Sequence, residues 1–300
     1  MDGEHTALIA LLRARPAGLS WRELTEQVLE QGSSRQVWDM HFPAQLMPID
    51  DPERHLRSAE DDLHAWERGG LEFLSVLDRR FPARLRDIQE TPPFLFAQGK
   101  VVPDDEGVSV VGSRQATPRG LRIAHNIATS LAQAGISVIA GLAAGIDTAA
   151  HAAALDVGAR TVAFIGTGSH RTYPAENRAL HRQIAGTGVV LSRFWPDAPP
   201  QKHTFLMRNA LMSGYGIATI VVEAGEHSGA RAQARMAVEH GRPVILTDLV
   251  VATTDWGKQL ADHPGVWVAE GTQDIADIIG SLRQVPTRLD EALVALTRGA

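Results

Sequence analysis

Val108-Ser109-Val110-Val111-Gly112-Ser113-Arg114 is the stretch whose reading decides the fold. A short apolar run suited to a buried strand ends in a glycine, a hydroxyl and an arginine. Pro118 then opens a helix carrying Leu121, Ile123, Ala124, Ile127, Ala128 and Leu131 as its apolar positions. Strand, tight glycine turn and helix N-terminus together present backbone N–H groups to an anion such as phosphate.

The same alternation continues on the C-terminal side. Strands are predicted at 108–112, 136–140, 161–165, 188–192, 217–223 and 243–246. Helices are predicted at 118–134, 147–157, 175–185, 205–213 and 229–240. Continuous apolar strands spaced roughly 25–30 residues apart fit βαβ units and a parallel sheet covered on both faces. The fold class is therefore α/β, an extended Rossmann-like, doubly wound, mostly parallel sheet. Its ligand is expected beyond the carboxyl ends of the strands.

Outside that core the pattern changes. Residues 1–70 read as a small helical module, broken at Gly18, capped again at Ser20, fragmented by Pro43, Pro48 and Pro52, and closed by Gly69-Gly70. Residues 71–106 read as an extended connector packed on the sheet domain, with a short strand at Phe73–Val76. The sheet domain spans 107–282, with a small strand at 265–268 and a helix at 274–282 near its end. Residues 283–300 form a tail with one further helix at 289–296.

Composition bounds the chemistry. There is no cysteine, which excludes disulfides, thiolate metal sites and a cysteine nucleophile. No basic leader and no apolar run near the ~18 residues of a membrane span occurs, so a soluble cytoplasmic protein is expected. Residues 1–106 carry 12 Lys/Arg and 20 Asp/Glu, 107–249 carry 13 and 8, and 250–300 carry 4 and 7. The net charge of −6 thus divides as −8, +5 and −3. The basic excess sits wholly in the segment with the glycine turns and points to an anionic ligand there.

Each strand end supplies small or polar residues: Gly112-Ser113-Arg114, Gly141 through Gly145 to Asp147, Gly166-Thr167-Gly168-Ser169, Ser192-Arg193, and Glu223-Ala224-Gly225 leading to Ser228-Gly229. Neither a G-x-G-x-x-G fingerprint nor a Walker loop is present. Cations gather at these turns: Arg114, Arg119 and Arg122; His170, Arg171, Arg178, His181 and Arg182 around Tyr173-Pro174; Lys202, His203 and Arg208 around Phe205. Arginine forks bind phosphate and nearby aromatics stack bases, a mixture suited to a single strand of nucleic acid. Phe205 itself reads as core. Asp147 and His151 read as a helix cap and a packed polar contact in preference to a metal pair. Glu223 is the best acid, with holding the Ser228 turn or pairing with Arg208 as alternatives. No serine shows a partnered base, so no catalytic triad, metal or cofactor is expected.

Five blocks, Val111 to Arg114, Ala140 to His151, Tyr173 to Asn177, Phe205 to Asn209 and Val222 to Gly229, resemble the DNA-processing protein A (DprA/Smf) family in order and spacing. The connector, with Phe81-Pro82-Ala83-Arg84-Leu85 and Pro92 to Gly99, looks like that family's entry into the sheet. The resemblance covers roughly 70–250. It implies a non-enzymatic protein that binds single-stranded DNA, forms a homodimer and loads a RecA-type recombinase during natural transformation. The DNA and phosphate contacts it implies, with those read from the turns, are Gly112, Ser113, Arg114, Arg119, Gly141, Gly145, Gly166, Arg171, Lys202, Arg208, Asn209, Ser228 and Gly229. The chain departs from the family pattern at Arg193 (usually Glu), Ala210 (usually Arg), Gln233 (usually Thr) and Thr247-Asp248 (usually Pro-Gly), and no clear C-terminal winged helix follows. Arg193 is expected to make the binding rim more positive. A nucleotide N-glycosidase of the lysine-decarboxylase-like (LOG) type, using Glu223 and Arg208, and a nucleotide sensor are the alternatives.

Overall fold

The computed structural model of the protein describes residues 2–43 and 52–284. The chain opens with helices α1 (Asp2–Ala14), α2 (Trp21–Gln31), α3 (Ser34–His41) and α4 (Pro52–Arg68). Ser20 caps α2 in a reciprocal capping box with Glu23, as its sequence suggests. Gly32, at φ 66°, ends α2, and Ser33 caps α3. The segment around Pro48 and the helix expected at 289–296 lie outside the described residues.

Among the described residues nine strands follow: β1 (Glu72–Ser75), β2 (Phe94–Gly99), β3 (Gly107–Val111), β4 (Ser137–Ala140), β5 (Thr161–Phe164), β6 (Val189–Ser192), β7 (Ala218–Val221), β8 (Val244–Thr247) and β9 (Val266–Ala269). They form one sheet in the order β1-β2-β6-β5-β4-β3-β7-β8-β9. Pairing is parallel from β6 to β9 and antiparallel for β1–β2 and β2–β6. The connector expected at 71–106 therefore does more than pack on the sheet. It contributes two strands, with Phe96 opposite Ser192 and Gly99 opposite Val189.

Helices α5 (Pro118–Gln133), α6 (Ile146–Asp156), α7 (Arg178–Thr187), α8 (Lys202–Tyr215), α9 (Gly229–Glu239), α10 (Asp248–Thr253) and α11 (Asp255–Ala261) connect the strands, and a last helix covers 272–284. Val108 and Val110 face a core shared with α5, α6 and the last helix. Val111, Ile139 and Phe164 face the other side, with α8, α9 and the N-terminal helices. Trp195 fastens the helical module to that side. Its ring lies 5.6 Å from Trp21, 5.9 Å from Trp66 and 4.7 Å from Phe94, with the Arg13 guanidinium 5.2 Å from its centroid. Aromatic pairs of this kind contribute about 0.5–1.5 kcal/mol each beyond their buried area.

After β3 the chain winds outward through β4, β5 and β6, then returns to the opposite side of β3 for β7, β8 and β9. The order reverses at β3, so a crevice opens beyond the carboxyl ends of β3 and β7.

Candidate nucleic-acid interface

That crevice is a cleft of about 820 Å³. One wall is the turn after β3. Ser113 donates its N–H to Glu223 O at 2.7 Å and accepts from Ile146 N at 3.2 Å, so the turn is clamped between β7 and the start of α6. Gly145 makes the clamp possible: at φ 78° a side chain there would run into the Ser113 and Arg114 backbone. The Ser113 hydroxyl accepts from Gln115 N at 3.1 Å and braces the turn. The opposite wall is α8 and the N-terminal turn of α9, where Ser228 caps the helix and Asn209 donates to Gly229 O at 3.3 Å.

The floor is buried and carries ionisable side chains. Arg208, 4% exposed, donates to the carbonyls of Gly141 and Phe164, the latter at 3.1 Å, and to Asn209 Oδ1 at 3.0 Å. A Cβ on Gly141 would occupy the place of its guanidinium. Burial lowers its pKa to about 10, which leaves it charged at neutral pH. Asp147 accepts from Gly141 N at 3.0 Å and Ala143 N at 3.3 Å. It holds the glycine loop, whereas capping of α6 was expected. Burial raises its pKa, while the Arg208 charge and the loop N–H groups act in the opposite sense. The Thr161 hydroxyl donates to Val138 O and so accepts from His151 Nδ1 at 2.7 Å. His151 is buried and neutral, its pKa pushed down to about 3 chiefly by desolvation, and its Nε2 has no partner.

Phe205 differs from its sequence reading. It is half-buried in the cleft, not in the core, because the first turn of α8 projects past the strand ends. The Arg114 guanidinium lies 5.1 Å from its ring centroid, and Tyr173, 45% exposed, lies 5.4 Å away. Arg114 is exposed and has no ion-pair partner among the described residues. Beyond Tyr173 a second pocket of about 650 Å³ opens, lined by Arg171, Arg178, Arg182, His170 and His181. His181 bonds Gln98 at 2.8 Å, and burial lowers its pKa.

Of the residues expected to bind, Gly112, Ser113, Arg114, Lys202, Arg208, Asn209, Ser228 and Gly229 line the cleft, and Arg171 lines the second pocket. Gly141 and Gly166 are buried beneath it; a Cβ on Gly166 would come within 2.6 Å of Phe205. Arg119 pairs with Asp248 at 3.0 Å and lines a separate pocket of about 220 Å³. Two expectations are corrected. Arg193 is 8% exposed and donates to Glu90 O at 3.2 Å, so it adds no charge to the rim. Glu223 accepts from Thr117 N and Oγ1, at 3.0 and 2.6 Å, and caps the entry to α5; it touches neither Arg208 nor the Ser228 turn. A hydrogen-bonded series not foreseen, Ser213 to His240 at 2.9 Å and His240 to Glu90 at 2.8 Å, has triad-like order. Its serine is 1% exposed, so it acts as a strut between α8, α9 and the loop before β2. Among the described residues no cluster of three His, Cys, Asp or Glu could hold a metal, and no helix is long and apolar enough to cross a membrane.

Fold and cleft together define a doubly wound α/β protein with cations and aromatic rings gathered at its switch point. Comparison with known proteins makes this specific. The chain belongs to the DNA recombination-mediator protein A family, whose model matches residues 72–278. DNA processing protein DprA of Streptococcus pneumoniae is 34% identical over 229 residues, covering 76% of this chain and 78% of that protein. Protein Smf of Synechocystis is 37% identical over 179 residues, 58% of this chain, but this match spans only 45% of Smf; for DprA of Bacillus subtilis, 33% identical over 185 residues and 61% of this chain, the share is 62%. The X-ray structure of S. pneumoniae DprA matches with a TM-score of 0.70 at 29% identity, over 92% of this chain and 97% of that one. DNA processing protein A of Helicobacter pylori, whose structure was described for its single-stranded DNA binding mode, matches in fold with a TM-score of 0.63 at 23% identity, over 70% of this chain and 96% of that one.

Proposed function

We propose that the protein binds single-stranded DNA along the carboxyl edge of the sheet, without catalysing a reaction on it. The observation that carries this reading is Arg114 lying over Phe205 in the cleft at the switch point, with Tyr173 alongside. One guanidinium meets phosphate while the adjacent rings offer faces for bases. Asn209, the Ser228-Gly229 turn and the Ser113 turn supply polar and backbone groups along the same wall. The H. pylori protein, which shares the fold, was described for single-stranded DNA binding. Family membership extends the proposal to a homodimer in the cytoplasm that passes the strand to a RecA-type recombinase during DNA uptake. A nucleotide N-glycosidase would need Glu223 as an acid in the cleft, and that carboxylate is engaged by Thr117.

Fluorescence anisotropy with a labelled oligo-dT, an unlabelled competitor and a salt titration tests the proposal. Binding is expected at low salt and to weaken as salt rises, because displaced counterions drive it. Arg114→Ala should weaken binding by about fivefold or more and flatten the salt slope by about one, with unfolding unchanged. Folded protein that does not bind at low salt removes the reading.

A further inference from the structure

Gln233 is out of keeping with its surroundings. The buried face of α9 is Ala230, Gln233, Ala234 and Ala237, a stripe of small apolar residues interrupted by one long amide. The side chain is 1% exposed, it lines the cleft beside Phe205, Met212 and Gly229, and its Nε2 has no hydrogen-bond partner. A buried amide left unpaired is costly, and native proteins rarely keep one without a use. Asn209, on the same wall, does not satisfy it, because Asn209 is occupied by Gly229 O and by the Arg208 Nε. Gln233 also stands where the family pattern has threonine, so the feature belongs to this chain.

We propose that Gln233 is a specificity determinant that pairs with the edge of a nucleobase seated in the cleft, and that the base is adenine. The inference rests on the cleft being the seat of the DNA strand. Exposed charge stands on Arg114 and Lys202, where a phosphate backbone would run. Above the buried Arg208 and Asp147, the lining that Gln233 shares includes the apolar Met212 and Ala230 and the ring of Phe205. A base stacked there turns its polar edge toward the amide. A primary amide offers a donor and an acceptor side by side, and adenine presents the complementary pair on both its Watson–Crick and its N6/N7 edges. Guanine has one such pair, O6 and N1–H on its Watson–Crick edge, since its N7 edge offers two acceptors, and the pyrimidines have one such edge each.

The experiment is competition anisotropy on the full chain with dA, dT, dC and dG homopolymers of equal length and an abasic oligomer. Wild type, Gln233→Leu and Gln233→Glu are compared. Wild type should prefer dA by roughly tenfold, the range of one bidentate amide–base pair. Gln233→Leu should lose that preference while binding the abasic oligomer as wild type does. Its melting temperature should not fall, since the amide has no partner to lose. Gln233→Glu keeps acceptors and loses the donor, and should move the ranking from dA toward dC, whose N4 amine donates. A side chain that only packs would shift the melting temperature and leave the ranking alone. An unchanged ranking in Gln233→Leu, a wild-type preference for another base, or equal weakening on abasic and dA strands overturns the proposal. Absence of binding to every oligomer, abasic included, overturns the reading of the cleft itself.

Discussion

In the cleft, Arg208 is buried under the glycine loop with its donors assigned to Gly141, Phe164 and Asn209, and Arg114 is laid against Phe205. In the pocket on the other side of Tyr173, Arg178 and Arg182 stand exposed on α7 with no ion-pair partner among the described residues. Both regions are basic and both sit at the carboxyl edge of the sheet, yet the cleft has fixed Arg208 and Arg114 and the α7 pocket has left Arg178 and Arg182 loose. A fixed cation loses little freedom when a ligand arrives, and its direction selects geometry. A loose one acts as a mobile charge, attracts any polyanion and is screened by salt. On the proposed function, the cleft is the place where a strand is positioned, and the α7 pocket is the place where it is attracted.

The comparison breaks most visibly at Arg208. Arg208→Met removes the cation that faces Asp147 and frees the Gly141 and Phe164 carbonyls in a dry interior. Losing one partner of a buried charged network costs about 3–5 kcal/mol. Denaturant unfolding should show a loss of that order, and oligonucleotide binding should fall with it because the loop under Ser113 and Arg114 loses its support. Stability within about 0.5 kcal/mol of wild type would mean that the floor is not organised by this side chain.

Phe205→Ala comes next. Stacking of one base on an aromatic face contributes about 1–3 kcal/mol, so binding should weaken roughly 5- to 100-fold with unfolding little changed. The loss should be larger on a normal strand than on an abasic one. Equal loss on both would leave Phe205 as a support for Arg114 and not as a platform.

Much of this edge is legible in the sequence, and the exceptions have physical causes. The parallel strands announce themselves as continuous apolar runs, and Gly112 to Arg114 marks the switch-point turn directly. Strand β1 is legible as the short strand at Phe73–Val76, whereas β2 is harder to read because Pro82, Pro92 and Pro93 break the segment before it, and its partner β6 is about 90 residues further along. Phe205 looks like core because α8 is buried from Arg208 to Tyr215, and periodicity cannot show that its first turn overhangs the sheet. Arg193 follows a strand end, as rim residues do, but the chain turns inward and carries the guanidinium to Glu90. Glu223 has the position of a catalytic acid, and only the fold shows that Thr117 reaches it first. Gln233 left a trace in the sequence, a polar residue in an alanine stripe, but its lack of a partner is visible only once α9 is packed.

The smallest effect is expected at α7, and it is the most informative about the comparison. The helix starts at Arg178 with no acid in its first turn, and Arg182 lies one turn on. Cations at a helix N-terminus oppose the macrodipole, and like charges four residues apart repel, each by a few tenths of a kcal/mol. Replacing both arginines by glutamine should therefore leave stability equal or slightly higher. Binding should weaken only a few-fold at low salt, with the salt slope reduced by up to about two if both meet phosphates. At high salt the variant and wild type should converge, whereas Arg114→Ala should remain weaker than wild type there because its contact is geometric as well as electrostatic. If the double variant instead loses binding equally at all salt concentrations, the α7 arginines are as fixed as those of the cleft when DNA is bound, and the distinction between a positioning site and an attracting one does not hold.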